Sequence, residues 1–353
     1  MRKTLLVLGI MVAALLLNTS AFASVNDDQV TSQKIKEADG TSGQNTNSGS
    51  GVKTGHIQKG AVTPDKIGFY NNVIVVAPSG GNFTSPVDAV NSISGASMAN
   101  PYLVKIMPGV YDISSSFVQM KPYVDVEGSG ENVTKIIGSG SAQIAGASNA
   151  ELRYLTVQAS GGSYAINSTS GSFTVSNVTI LPVGGSYALY VGGDTVVKHT
   201  KIIMADGGGI YVSPGFVKLT DITISANNCW GATGAVVQES KAFLKNININ
   251  LDCSTSNRGI FSINSQMDII NANIAVPGSG SGADTHAVSD YGTSVVKIDN
   301  SIMKGVWAVY TLEGGTAYIG NTKLDGAVFK SGSSDTVKCS GVHDGDYNLV
   351  TCP

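Results

Sequence analysis

The stretch GADTHAVSD at 282–290 sets Asp284, His286 and Asp290 within seven residues, side chains that can exchange protons or ligate a metal. Asp206, Glu239 and Arg258 add two further carboxylates and one of the two arginines that follow residue 23. HDGD at 343–346 offers Asp344 and Asp346 as oxygen ligands for calcium, without the other ligands of a calcium loop. Acid–base work needs such groups to converge. Nothing in the sequence fixes that convergence, since Asp284 sits in a Gly-Ser loop while His286 opens a strand. No phosphate loop, metal-ligand cysteine pair or nucleophile elbow is present. The expectation is no metal and no cofactor, with Asp206, Glu239, Arg258, His286 and Asp290 as the groups available if the protein is an enzyme.

A second chemistry, stacking on sugars, rests on a repeated motif of a small residue, an aliphatic residue and a variable one. It reads AIN at 165–167, ALY at 188–190, GIY at 209–211, AVV at 235–237, GIF at 259–261, AVS at 287–289, AVY at 308–310 and AVF at 327–329. Side chains alternate across a strand. With Ile166, Leu189, Ile210, Val236, Ile260, Val288, Val309 and Val328 in a core, the third positions face outward. Tyr190, Tyr211, Phe261, Tyr310 and Phe329 would then form a row of rings on which sugars can stack.

What would position such a row is a second motif, an Asn or Asp followed by alternating apolar residues. It appears as SNVTI at 176–180, TDITI at 220–224, KNINI at 245–249 and ANIAV at 272–276, with degenerate copies DNSIM at 299–303 and GNTKL at 320–324. The two motifs recur in step about every 22 residues. Each repeat holds only strands too short to bury a face alone, so repeats must stack, and stacked parallel crossovers are right-handed. The predicted fold is all-β: a right-handed parallel β-helix of about ten coils over 73–334, with a short N-terminal capping helix. Asn177, Asn246, Asn273, Asn300 and Asn321 would occupy tight turns as an amide ladder. In that register Cys229 and Cys253 fall in matching turns of adjacent coils, close enough for a disulfide. Cys339 and Cys352 would close a C-terminal cap over 335–353, protecting the open strand edges.

Residues 1–23 read as a secretory signal: Arg2 and Lys3, an apolar run from Leu5 to Leu17, then Ala21-Phe22-Ala23. Residues 24–55 contain GTSGQNTNSGSG and read as a flexible tether, and 56–72 as a short attachment or oligomerisation segment. Without Arg2 and Lys3, 20 basic residues face 25 acidic ones with no basic cluster in the sequence. Nucleic acid is therefore an unsuitable partner. No later stretch is long enough for a membrane span. Four cysteines after a secretory signal imply an oxidising destination, whether extracellular, cell-surface or periplasmic.

VIVVAPSGGNFTSPVDAVNSI at 73–93, KIMPGVYDI at 105–113 and VDVEGSGENVTKIIG at 124–138 follow one another in an order that resembles the opening coils of pectin methylesterases, within the pectin lyase-like superfamily. The resemblance covers about 65 residues and implies the β-helix. That family's esterase chemistry uses two aspartates, oxyanion-holding glutamines and an arginine, in motifs resembling Gln-Ala-Val-Ala, Asp-Phe-Ile-Phe-Gly and Gly-Arg-Pro-Trp. None of these occurs here, nor does an Asn-Thr-Asp or Gly-His-Gly stretch of the kind polygalacturonase-like hydrolysis uses. The expected function is a secreted or cell-surface structural or adhesive β-helix binding polysaccharide on its side. The alternative is a divergent carbohydrate-active enzyme of the pectin esterase, lyase or polysaccharide hydrolase type.

Overall fold

The computed structural model describes Tyr70 and residues 72–169, 171–182, 187–277 and 285–353. The signal, the tether and residues 56–69 of the attachment segment lie outside the described residues, as does Asp284. The described chain is nearly all strand. Successive coils pair their strands in parallel, and the strands wind into a right-handed solenoid of about ten turns.

One coil shows why. Gly207–Cys229 is a single extended stretch folded into three walls. Ile210 and Val212 point inward in the first wall, Val217 and Leu219 in the second, and Ile222, Ile224 and Ala226 in the third; all are at most 1% exposed. The intervening residues point out, so each short strand has one buried face, and that face closes only against coils above and below. The bend between the first two walls falls at Gly215 (φ 149°), and the bend between the second and third at Asp221 (φ 56°).

The second bend recurs in every complete coil at a left-handed residue: Tyr154, Asn177, His199, Asp221, Asn246, Asn271, Asn300 and Asn321. Asn and Asp tolerate this conformation best because their short side chains bond locally. The predicted ladder is present: the Asn246 amide donates to Asp221 Oδ1 at 2.6 Å, and Asn271 donates to Asn246 Oδ1 at 2.7 Å. Asn273 is not part of that corner column. It pairs in register with Asn248 on the third wall, and Asn271 takes the corner. A shift of two residues leaves the inward–outward alternation unchanged, so the apolar pattern alone does not separate the two registers.

The N-terminal end is closed by one helix, α1 (Pro86–Ser92). Ser85 caps it by accepting from the Asp88 amide, Pro86 opens it, and Ala89 and Val90 are buried in the core. At the other end the stacking continues through Thr336–Ser340, paired with Thr316–Gly320, and His343–Asp344, paired with Lys323–Leu324. Cys339 is bridged to Cys352 across a Cα separation of 5.8 Å. Cys229 and Cys253 are in direct register and bridged, with Cα atoms 4.5 Å apart. Closing a loop of this length is worth about 3 kcal/mol by chain entropy. The double variant C229A/C253A is therefore expected to unfold at lower urea concentration by that amount, with a difference that vanishes when both proteins are reduced.

Candidate ligand-binding face

The first wall runs through Tyr164–Ser168, Tyr187–Gly193, the start of Gly207–Cys229, Ala232–Gln238, Asn257–Ile263 and His286–Tyr291, then on into Ile302–Leu312 and Lys323–Lys330. Its parallel register lines up Asn167, Tyr190, Tyr211, Val236, Phe261, Ser289, Tyr310 and Phe329 in one outward-pointing row, in which Val236 and Ser289 are covered. The five rings expected there are all present and half-buried. One copy of the motif is displaced by a residue. Ala235 pairs with Ile210 and Ile260, so Val236 stands in the outward row and Val237 fills the core at 0% exposure. Both valines are apolar and give no pattern to choose between them.

A second outward row lies three residues earlier in each coil: Tyr164, Tyr187, Gly208, Thr233, Arg258, His286 and Trp307. The three-residue motif does not include it, although the residue before each small one carries the signal. Two ring clusters result. In the first, Tyr164 and Tyr190 have centroids 4.8 Å apart, Tyr190 stacks on Tyr211 at 5.2 Å, and Tyr187 meets Tyr211 edge-on at 5.0 Å. Gly208 makes room for this, since a Cβ there would lie 2.0 Å from the Tyr187 ring. Burial holds the Tyr187 and Tyr211 phenols above the usual tyrosine range, and the Tyr211 hydroxyl donates to Gln238 Oε1. In the second cluster Tyr310 lies between the His286 ring at 4.3 Å and the Phe329 ring at 4.7 Å, with Trp307 4.9 Å from Phe329. The Arg258 guanidinium sits 5.1 Å over Phe261 between the clusters.

The candidate catalytic residues are dispersed. Arg258 and His286 are register neighbours on this wall. Asp206 is an exposed turn residue at the wall's leading edge, where its Oδ1 accepts from the Trp230 amide at 2.7 Å. Glu239 is an exposed left-handed turn residue at the trailing edge. Arg258 pairs with Thr233, six residues before Glu239, so Arg258 and Glu239 stand at opposite ends of neighbouring strands, because parallel strands put their starts beside starts. Asp290 points inward. It continues the interior row Val191, Val212, Val237, Ser262, Asp290, Thr311 and is 1% exposed. Neither carboxyl oxygen has a well-formed hydrogen bond. Burial raises its pKa to about 7, and the Leu312 backbone amide offsets this only in part. Asp344 secures its own turn: the Asn348 side chain and the Asn348 and Asp346 backbone amides all donate to it and lower its pKa. Among the described residues, no three His, Cys, Asp or Glu side chains gather to hold a metal.

No family model matches the chain, and no curated protein matches it. Solved structures do. Tailspike protein 2 of Escherichia coli O157:H7 bacteriophage CAB120 is 14% identical with a TM-score of 0.50, the match covering 75% of this chain and 41% of the tailspike. A pectin methylesterase from Erwinia chrysanthemi is 13% identical with a TM-score of 0.40, covering 76% of this chain and 93% of the enzyme. This chain has the pectin lyase-like fold. At such identity the likeness concerns the fold alone. Within this β-helix the ringed first wall is the candidate site.

Proposed function

We propose that this protein is an extracellular or cell-surface module that binds polysaccharide along its first wall without turning it over. In this reading residues 1–23 direct secretion, 24–55 form a tether, and 56–72 attach or oligomerise the module. The supporting observation is the pair of outward ring clusters, held at stacking distance by coil register. Rings fixed in this way offer broad apolar faces with little entropy left to lose on binding. The two disulfides fit an oxidising location, and no helix of the described residues is long and apolar enough to cross a membrane.

A glycan array tests the reading. Wild-type protein should retain one class of polysaccharide, and Y190A/Y211A should weaken that binding at least tenfold, about 1.4 kcal/mol, with its thermal transition little changed. Retention of full affinity by the double variant removes the first wall as the site. Turnover of methylated or unmethylated polygalacturonate, abolished in R258A or H286A, would replace the binding module with an enzyme working around the one adjacent pair of candidate polar groups on this wall.

A further inference from the structure

We propose that the second wall carries a separate site for an acidic polysaccharide. No basic cluster is visible in the sequence, yet the solenoid assembles one from lysines scattered between Lys218 and Lys338. Strands Phe216–Thr220, Lys241–Lys245, Gln266–Ile270, Val295–Asp299, Thr316–Gly320 and Thr336–Ser340 stack in register, and their first, third and fifth residues face outward. Those positions bring Lys218, Lys241, Lys245, Lys297 and Lys338 to one face with two aspartates, Asp268 and Asp299. All five lysines are exposed. Only Lys297 has a carboxylate within reach, Asp268 at 3.8 Å, among the described residues. The chain as a whole is acidic, with a formal charge of -3, so this face is a local reversal of sign.

Four of the five lysines, Lys245 excepted, have a ring as a register neighbour. Phe216 is in register with Lys241, and Lys218 with Phe243, so each cation faces an aromatic residue on the neighbouring coil. Farther along, Tyr318 stands between Lys297 and Lys338. Lys218 lies 5.5 Å from the Phe216 ring and Lys338 5.8 Å from the Tyr318 ring. Phe216 and Tyr318 are about 40% exposed, so their faces are open to a ligand. The arrangement avoids like charges directly opposite one another. It also presents charge and stacking surface together, in a groove of about 480 Å³ between Phe216 and Lys297.

Charge and chemistry favour a sugar polymer over nucleic acid. The face contains no arginine, the side chain suited to bidentate phosphate contacts. Asp268, in the middle of the groove beside Gln266, would repel a uniformly charged phosphate backbone but accepts hydrogen bonds from sugar hydroxyls. A polymer carrying spaced anionic groups on hydroxyl-rich rings satisfies lysine, aspartate and aromatic positions at once. This site is independent of the first wall and of whatever binds there.

The test compares polymers that share one backbone and differ in charge: carboxymethyl dextran, dextran sulfate and unmodified dextran, with oligodeoxythymidylate as a fourth probe, each immobilised. Full-length protein should be retained by the two charged dextrans at least tenfold more strongly than by dextran or the oligonucleotide. The triple variant K218Q/K241Q/K297Q should lose at least tenfold of that binding, while Y190A/Y211A should keep it. Raising salt from about 0.05 to about 0.5 M should weaken wild-type binding at least tenfold, because the screening length contracts several-fold. Salt-insensitive wild-type binding overturns the proposal without any variant. So do equal binding to uncharged dextran, stronger binding to the oligonucleotide, and full binding by the triple variant.

Discussion

The variant D290V is expected to be more stable than the parent protein at pH 8 and above, by about 4 kcal/mol, and to show a flatter dependence of stability on pH. Asp290 lies in an interior row otherwise made of Val191, Val212, Val237, Ser262 and Thr311, so valine restores the row's chemistry. Burial without adequate hydrogen bonds places its pKa at about 7 in the folded protein. In the unfolded chain an aspartate titrates near pH 3.9. Below about pH 4 both states hold the proton and the carboxyl adds no pH-dependent penalty. Between about pH 4 and 7 the folded state binds more protons than the unfolded state, so stability falls as pH rises, and the penalty is complete above 7. At about 1.4 kcal/mol for each pH unit between the unfolded and folded values, the penalty comes to about 4 kcal/mol. Asp335 has the opposite sign: its desolvation is outweighed by the hydrogen bonds it accepts from the Gly314 and Gly332 amides, so its pKa is lowered. It supports the fold above its unfolded pKa and withdraws that support as pH falls through the folded one, below the window in which Asp290 acts. Urea unfolding from about pH 2 to about pH 9 measures both effects, Asp335 below about pH 4 and Asp290 above it. An equal pH slope in D290V and the parent would show that another group titrates.

Asp290 also shows how much of the site the sequence contained. Once Ser289 is placed outward, alternation sends Asp290 inward, so its removal from the candidate acid–base set was legible. The Cys229–Cys253 bridge was legible for the same reason: both cysteines follow aligned isoleucines at nearly equal offsets, and one register explains both. Ambiguity falls where chemistry repeats along a strand. Asn271 and Asn273 are both asparagines two apart, and Val236 and Val237 are adjacent valines, so pattern gives no preference. The actual choices come from coil-to-coil pairing of Asn248 with Asn273 and Ala235 with Ile260. The lysine face was invisible for a different reason. Lys218 and Lys338 are brought to one wall only by the summed lengths of every intervening turn, and coil lengths vary. Charge can be counted from sequence, but its segregation onto a face requires each of those lengths.

The largest destabilisation of the native protein is expected from G234V. Gly234 occupies the position before the small residue of the first-wall motif in its coil, and its chain path brings it to the place where Gly209 and Gly259 stand in the neighbouring coils. A Cβ at Gly234 would lie 2.5 Å from the Gly259 carbonyl oxygen and 2.9 Å from both Ile249 Cδ1 and Cγ2. The same pair of obstacles recurs at Gly209, with the Gly234 carbonyl at 2.4 Å and Ile224 at 3.1 Å. In each case the isoleucine comes from the third wall of the same coil, 15 residues later, and crosses the interior to meet the first wall. The glycine therefore sets two distances, the rise to the next coil and the width of the core. Valine would violate both, and the obstructing carbonyl is backbone that is held by its own pairing. Overpacking in a close-packed core costs about 1–3 kcal/mol when side chains can shift. Here the next coil must move as well, so a loss of about 3 kcal/mol or more is expected for G234V, with G234A intermediate because a single methyl meets the same contacts with fewer atoms. Soluble yield and the urea midpoint give the order. If G234V unfolded at the parent's midpoint, the coil spacing at this position would be adjustable, and the close approach of Gly234 to Gly259 and Ile249 would not be what determines it.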